Sequence, residues 1–152
     1  MPKLSARKPV ASTVAASLAE VLFQLTAPAA AQQTLRFHTF VPPVSSSFKN
    51  VSAWAKKVET ESGGAVKFQM YPSMQLGGKP ADLYNQTKDG VVDVSYSIPG
   101  YTPGVFPRIE AFELPFVGTT TYATTLAVNE FRPKYLADEF KDVHPIVFWV
   151  PG

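Results

Sequence analysis

Residues 71–94 read YPSMQLGGKPADLYNQTKDGVVDV. An apolar run ending at Tyr71 gives way to a glycine pair, a proline, a polar stretch and a second β-rich run. Glycine admits left-handed backbone and close chain approach, and Pro80 suits the first turn of a helix. That helix is expected to run to about Asp89, with Leu83 and Tyr84 as core contacts, and Asp89-Gly90 turns the chain into the next strand. A helix start leaves N–H donors unpaired, so the Gln75–Lys79 loop either holds a ligand or simply connects.

The alternation extends outward on both sides. TLRFHTF (34–40) alternates Leu35, Phe37 and Thr39 against Arg36, His38 and Phe40 and predicts a strand, ended by Val41-Pro42-Pro43. Ser45 to Ser47 offer capping oxygens to a helix in which Phe48, Val51, Trp54, Ala55 and Val58 recur at helical spacing, closed by Gly63-Gly64. AVKFQMYP (65–72) and VVDVSYS (91–97) are the second and third strands. Strands alternating with helices indicate an α/β domain with a largely parallel sheet. Next come a Pro/Gly loop (98–107) and an extended segment, RIEAFELPFV (108–117). A helix opens at Thr119 to Thr121 and reaches about Phe131, and Pro133 is expected to separate it from a shorter helix ending at Phe140. PIVFWV (145–150) reads as a strand. Trp54 and Trp149 are expected in the core, and His38 as a hydrogen-bonded structural histidine.

The 152 residues suffice for one domain or one lobe of a larger protein. The formal charge of +2 is confined to the N-terminus, where Lys3, Arg7 and Lys8 outweigh Glu20. The rest of the chain is balanced and offers no basic stripe for nucleic acid. The basic start, the apolar stretch from Val10 to Leu25 and the Ala29-Ala30-Ala31 cleavage signal predict a signal peptide over residues 1–31. No later stretch supplies the ~20 apolar residues that span a bilayer. With no cysteine there is no disulfide, so stability must come from packing.

Enzyme signatures fail in turn. His38 and His144 are the only histidines, too far apart for H-E-x-x-H, and no cysteine can complete a zinc site. Gly77-Gly78-Lys79 lacks the first glycine and the Ser/Thr of a phosphate-binding loop. No nucleophile elbow or dinucleotide-binding turn occurs. Glu110 and Glu113 read as solvated carboxylates rather than an acid/base pair. No catalytic residue, metal ligand or cofactor is implied.

The segments LRFHTFVPP, VKFQMYPSMQLGG, DGVVDVSYSIPGYTPGVFP and FELPFV, in that order, resemble the TRAP-transporter solute-binding receptors of the DctP family from about Thr34 to Gly152. The resemblance implies a type II periplasmic-binding-protein fold, in which two α/β lobes close over a small organic acid. Residues 32–144 would form most of lobe one, and 145–152 would begin the crossing strand to a missing second lobe, as in a truncated copy. The implied role is a periplasmic receptor, without enzymatic activity, delivering a carboxylate to the membrane subunits of a TRAP transporter. Its first-lobe contacts fall by position on His38, Phe40 and Val41, on Gly78 and Lys79, and on Ile98 and Pro99, with Tyr101 added by adjacency. Family members that bind sugar acids carry polar side chains at several of these places. Phe40, Gly78 and Ile98 therefore imply a less hydroxylated carboxylate. The arginine that clamps the carboxylate in the family belongs to the second lobe, so tight binding by this chain alone is not expected. The alternative is a freestanding single-lobe interaction protein.

Overall fold

A computed structural model describes residues 31–150. The expected signal peptide lies, apart from Ala31, outside the described residues. Strand β1 (Gln33–Thr39) is followed by helix α1 (Ser46–Glu61), strand β2 (Val66–Tyr71), a 3₁₀ turn (Pro80–Asp82) leading into helix α2 (Leu83–Lys88), strand β3 (Val94–Tyr96) and helix α3 (Thr121–Tyr135). The three strands form a parallel sheet in the order β2-β1-β3.

Register sorts the sheet into two faces. Leu35 pairs with Phe68, Phe37 with Met70 and Val94, and Thr39 with Tyr96, so these residues share one side. Trp54 of α1 packs on Phe68 at 5.2 Å and covers that side. Trp54 is half-buried there, while its neighbour Ala55 is the buried residue of the helix. His38 and Ser95 face the other way, where α2 meets them through Gln86 and Thr87. The chain steps from β1 out to β2 and then back across β1 to β3. Right-handed crossovers in opposite directions put the two helices on opposite faces, as observed.

Local chemistry explains the boundaries. Ser45 caps α1 by accepting the Phe48 N–H at 3.1 Å, a contact worth about 1 kcal/mol. Thr120 does the same for α3 through the Ala123 N–H. Asp93, four residues after Asp89, docks β3. Asp93 accepts both the Arg36 backbone N–H at 2.7 Å and its guanidinium Nε at 3.2 Å, and the Asp93 N–H donates to the Arg36 carbonyl.

Beyond β3 the chain differs from the sequence reading in four places. Residues 108–117 are not extended throughout, because Glu110–Glu113 form a 3₁₀ turn that brings Phe112 against Phe131 of α3. Pro133 does not end α3, which continues to Tyr135. In the last turn the missing N–H forfeits a single bond, and the helix closes with Leu136 N–H on the Arg132 carbonyl. Residues 136–140 are turns rather than a second helix.

The expected strand at 145–150 joins no ladder. Side chains of α3 satisfy its backbone instead. Asn129 pairs with both the N–H and the carbonyl of Phe148, Thr125 accepts the Val150 N–H, and Arg132 donates to the Pro145 carbonyl. Phe106, Ile109, Val128, Leu136 and Phe140 form the core of this half. Tyr84 of α2 joins it to the sheet half by an edge-on contact with Phe106 at 4.7 Å.

Candidate functional site

The strand order reverses at β1 and β3. In open α/β sheets such a reversal leaves a crevice outside the carboxyl ends of the two strands, where ligands bind. Phe40 follows β1 and Tyr96 ends β3; their rings lie 5.8 Å apart. Tyr101 meets Phe40 edge-on at 5.3 Å, and Trp149 lies 4.5 Å from Tyr96. Four aromatic rings thus form one connected wall at the switch point. Tyr101 is 38% exposed and Trp149 36%, so the wall keeps faces open to solvent. Trp149 is therefore not the core residue expected, because α3 side chains hold its segment outside the ladder, with the ring against Tyr96. Burial pushes the Tyr96 phenol upward in pKa, against the opposing effect of Trp149 and Ser47, and it stays neutral at physiological pH.

A groove of about 1380 Å³ runs beside this wall, with Val94, Tyr96, Ile98, Pro99 and Trp149 in its lining. It is larger than the ~300–1,000 Å³ of an ordinary ligand pocket. It adjoins β3, whose outer edge has no ladder partner among the described residues.

The Gln75–Lys79 loop is fixed against β1 from several directions. Ser73 and Met74 adopt left-handed backbone (φ 51° and 58°) and donate their N–H groups to the carbonyls of Val41 and Thr39. The Leu76 N–H donates to His38 Nε2 at 3.3 Å, and Gln86 Nε2 donates to the Gly77 carbonyl at 3.2 Å. Gly78 has φ 82°, and a Cβ there would sit 2.9 Å from Gln86 Nε2. The free N–H donors expected at this helix start are reduced, because Asp82 accepts the Lys79 N–H at 2.9 Å. That carboxylate also places negative charge where an anion was expected.

The sequence-derived positions therefore separate. Phe40 and Tyr101 touch one another, and Ile98 and Pro99 line the groove. Gly78 and Lys79 are exposed on the loop. His38 and Val41 are buried, at 0% and 6% exposure, and their side chains reach no open surface. Both His38 nitrogens are engaged, as a structural histidine requires. Tyr96 and Gln86 escaped the sequence reading, and Trp149 was read as core. Tyr96 alone carried a signal, since strand alternation sets it on the same side as Val94.

Glu113 is exposed, as expected, whereas Glu110 is half-buried with one carboxylate oxygen unpaired. Glu113 accepts the Gly100 N–H at 3.3 Å, and burial followed by the neighbouring Glu110 raises its pKa, against the effect of that hydrogen bond. Among the described residues no cluster of metal-ligating side chains occurs.

The family model for bacterial extracellular solute-binding protein, family 7 (DctP), matches residues 37–152. The chain is similar to a TRAP solute-binding protein of Rhodoferax ferrireducens, solved with copurified benzoate. They share 51% identity with a TM-score of 0.75, over 78% of this chain and 37% of that one. A marine metagenome TRAP solute-binding protein specific for aromatic acid ligands, solved with 3-hydroxybenzoate, is 43% identical with a TM-score of 0.75, over 78% and 38%. The ectoine/5-hydroxyectoine-binding periplasmic protein UehA of Ruegeria pomeroyi is 28% identical over 95 residues, 57% of this chain and 28% of that protein. The chain thus spans well under half the length of each.

Proposed function

The chain belongs to family 7 of the bacterial extracellular solute-binding proteins, with part of an α/β lobe of their type II periplasmic-binding-protein fold, and we propose that it forms the aromatic wall of a receptor for aromatic carboxylates. The observation that carries this reading is the joined set Phe40, Tyr96, Tyr101 and Trp149 at the carboxyl ends of β1 and β3. Aromatic pairs in offset or edge-on geometry contribute about 0.5–1.5 kcal/mol each beyond area burial. A benzoate-like ring entering here gains such contacts. A sugar acid gains none, and its hydroxyls lose water against an apolar surface. The solved relatives with benzoate and 3-hydroxybenzoate support the same ligand class.

Within this proposal Ile98 and Pro99 extend the wall, and Gly78 and Lys79 border it from the loop. The exposed Lys79 ammonium offers the carboxylate a screened, weak contact. The stronger clamp falls to an opposing lobe, and delivery to TRAP membrane subunits in the periplasm completes the role. Saturation-transfer NMR on the 152-residue chain, using benzoate, 3-hydroxybenzoate and glucuronate, tests the ligand class. Transfer to the benzoate ring protons, displaced by 3-hydroxybenzoate and not by glucuronate, is expected. Equal transfer to glucuronate, or none to benzoate, overturns the reading.

A further inference from the structure

We propose that His38 and Gln86 form a proton-sensitive latch that positions the Gln75–Lys79 loop at the ligand site. The hydrogen bonds admit one proton arrangement. Gln86 Nε2 is spent as a donor on the Gly77 carbonyl, so its Oε1 is the acceptor that faces His38 Nδ1 at 2.7 Å. The imidazole must then carry its proton on Nδ1. Nε2 is left with a lone pair, and it accepts the Leu76 N–H. A neutral ring with a single tautomer therefore reads both α2 and the loop.

A second proton breaks this arrangement. It must sit on Nε2, where it would face the Leu76 N–H donor at 3.3 Å in a site with no solvent exposure. Donor opposes donor, and burial removes the water that could relieve the conflict. The loop must then release Leu76, while Ser73 and Met74 stay attached to β1. A released imidazole can accept that proton freely, so lowering the pH favours the open loop over the latched one.

The surroundings offer little compensation. Across the sheet His38 is flanked by Tyr71 on β2 and Ser95 on β3. Arg36, two residues back on the same face of β1, is paired with Asp93. From α2 the facing group is neutral Gln86, and Asp82 before it is engaged by the Lys79 N–H.

The effect on binding rests on the proposed ligand contacts of the loop; the latch itself does not. Nitrogen NMR of the imidazole in the intact chain at about pH 7.5 should show the Nδ1–H tautomer. Protection of the Leu76 amide, corrected for intrinsic exchange, should fall about tenfold or more between about pH 7.5 and pH 5. In Gln86→Leu it should be low at both. Benzoate saturation transfer should weaken in parallel in the wild type. An Nε2–H tautomer, or Leu76 protection independent of pH, overturns the latch whatever the ligand does. Loss of protection with unchanged benzoate transfer overturns the positioning role and leaves the aromatic wall standing. Absence of benzoate transfer at every pH defeats the wall, while tautomer and exchange still decide the latch.

Discussion

Asn129 holds Phe148 by both backbone groups, donating Nδ2 to its carbonyl at 2.7 Å and accepting its N–H at Oδ1 at 3.3 Å. One amide side chain thus does for residue 148 what a neighbouring strand would do. Asn129→Leu leaves both groups unpaired in a partly buried place, at about 1–3 kcal/mol. The expected outcome is a melting temperature lowered by several degrees, with Trp149 fluorescence shifting as the segment leaves Tyr96. Unchanged melting and emission would show that Thr125 and Arg132 hold the segment unaided.

Asp93 and Glu113 should impose opposite pH dependences. Arg36, through its backbone N–H first, holds the Asp93 carboxyl below its ordinary value. A lowered folded pKa gives stability that is present above the unfolded value and lost as pH falls through the folded one. Glu113 is raised, chiefly by burial, so its contribution is present below the unfolded value and lost as pH rises through the folded one. Urea midpoints measured across the acid range should show less loss on acidification in Asp93→Ala. Glu113→Gln should lose less on the rising side. A parallel shift of both curves without change of slope would contradict the assignment.

Gly77 and Gly78 differ in a way that alanine can expose. Both have left-handed backbone, φ 86° and 82°, which costs an alanine roughly 1–2 kcal/mol. A Cβ at Gly77 meets nothing within 4 Å, whereas at Gly78 it meets Gln86 Nε2 at 2.9 Å and Asp82 Oδ2 at 3.1 Å. Gly78→Ala should therefore destabilise more than Gly77→Ala and lower the protection of the Leu76 amide. Equal effects in the two variants would mean that Gln86 yields freely.

The first half of the fold was legible because its signals are local. Alternation in residues 34–40, the Ser45 cap, helical spacing from Phe48 to Val58 and the Gly63-Gly64 stop each depend on near neighbours. The 3₁₀ turn at Glu110–Glu113 and the unpaired run after Pro145 are set by Phe131, Asn129, Thr125 and Arg132 on α3, and no local pattern carries that. At the site, the family resemblance, laid onto the ends of β1 and β3, pointed to Phe40 and Ile98. Trp149 was read as core because its partner Tyr96 lies on a strand far away in sequence. Gln86 was missed because a glutamine on a short helix has no signature until the loop folds back upon it.

Tyr101 offers the cleanest separation of binding from folding. At 38% exposure, with an edge-on contact to Phe40, it carries little of the core. Tyr101→Ala removes one edge contact from a bound ring, ~0.5–1.5 kcal/mol of binding, and one from Phe40, which costs stability instead. Since ~1.4 kcal/mol is tenfold in affinity, benzoate should bind roughly two- to twelvefold more weakly. The melting temperature should move by no more than a few degrees. Tyr101→Phe keeps the ring and should retain both affinity and stability, unless the phenol itself meets the ligand. Phe40→Ala, by contrast, unpairs Tyr96 and Tyr101 together and should lower stability as well as binding. If Tyr101→Ala leaves benzoate saturation transfer intact while Phe40→Ala abolishes it in a folded chain, the ring lies on the Tyr96 side of Phe40. Loss in neither variant would remove the wall from the binding site.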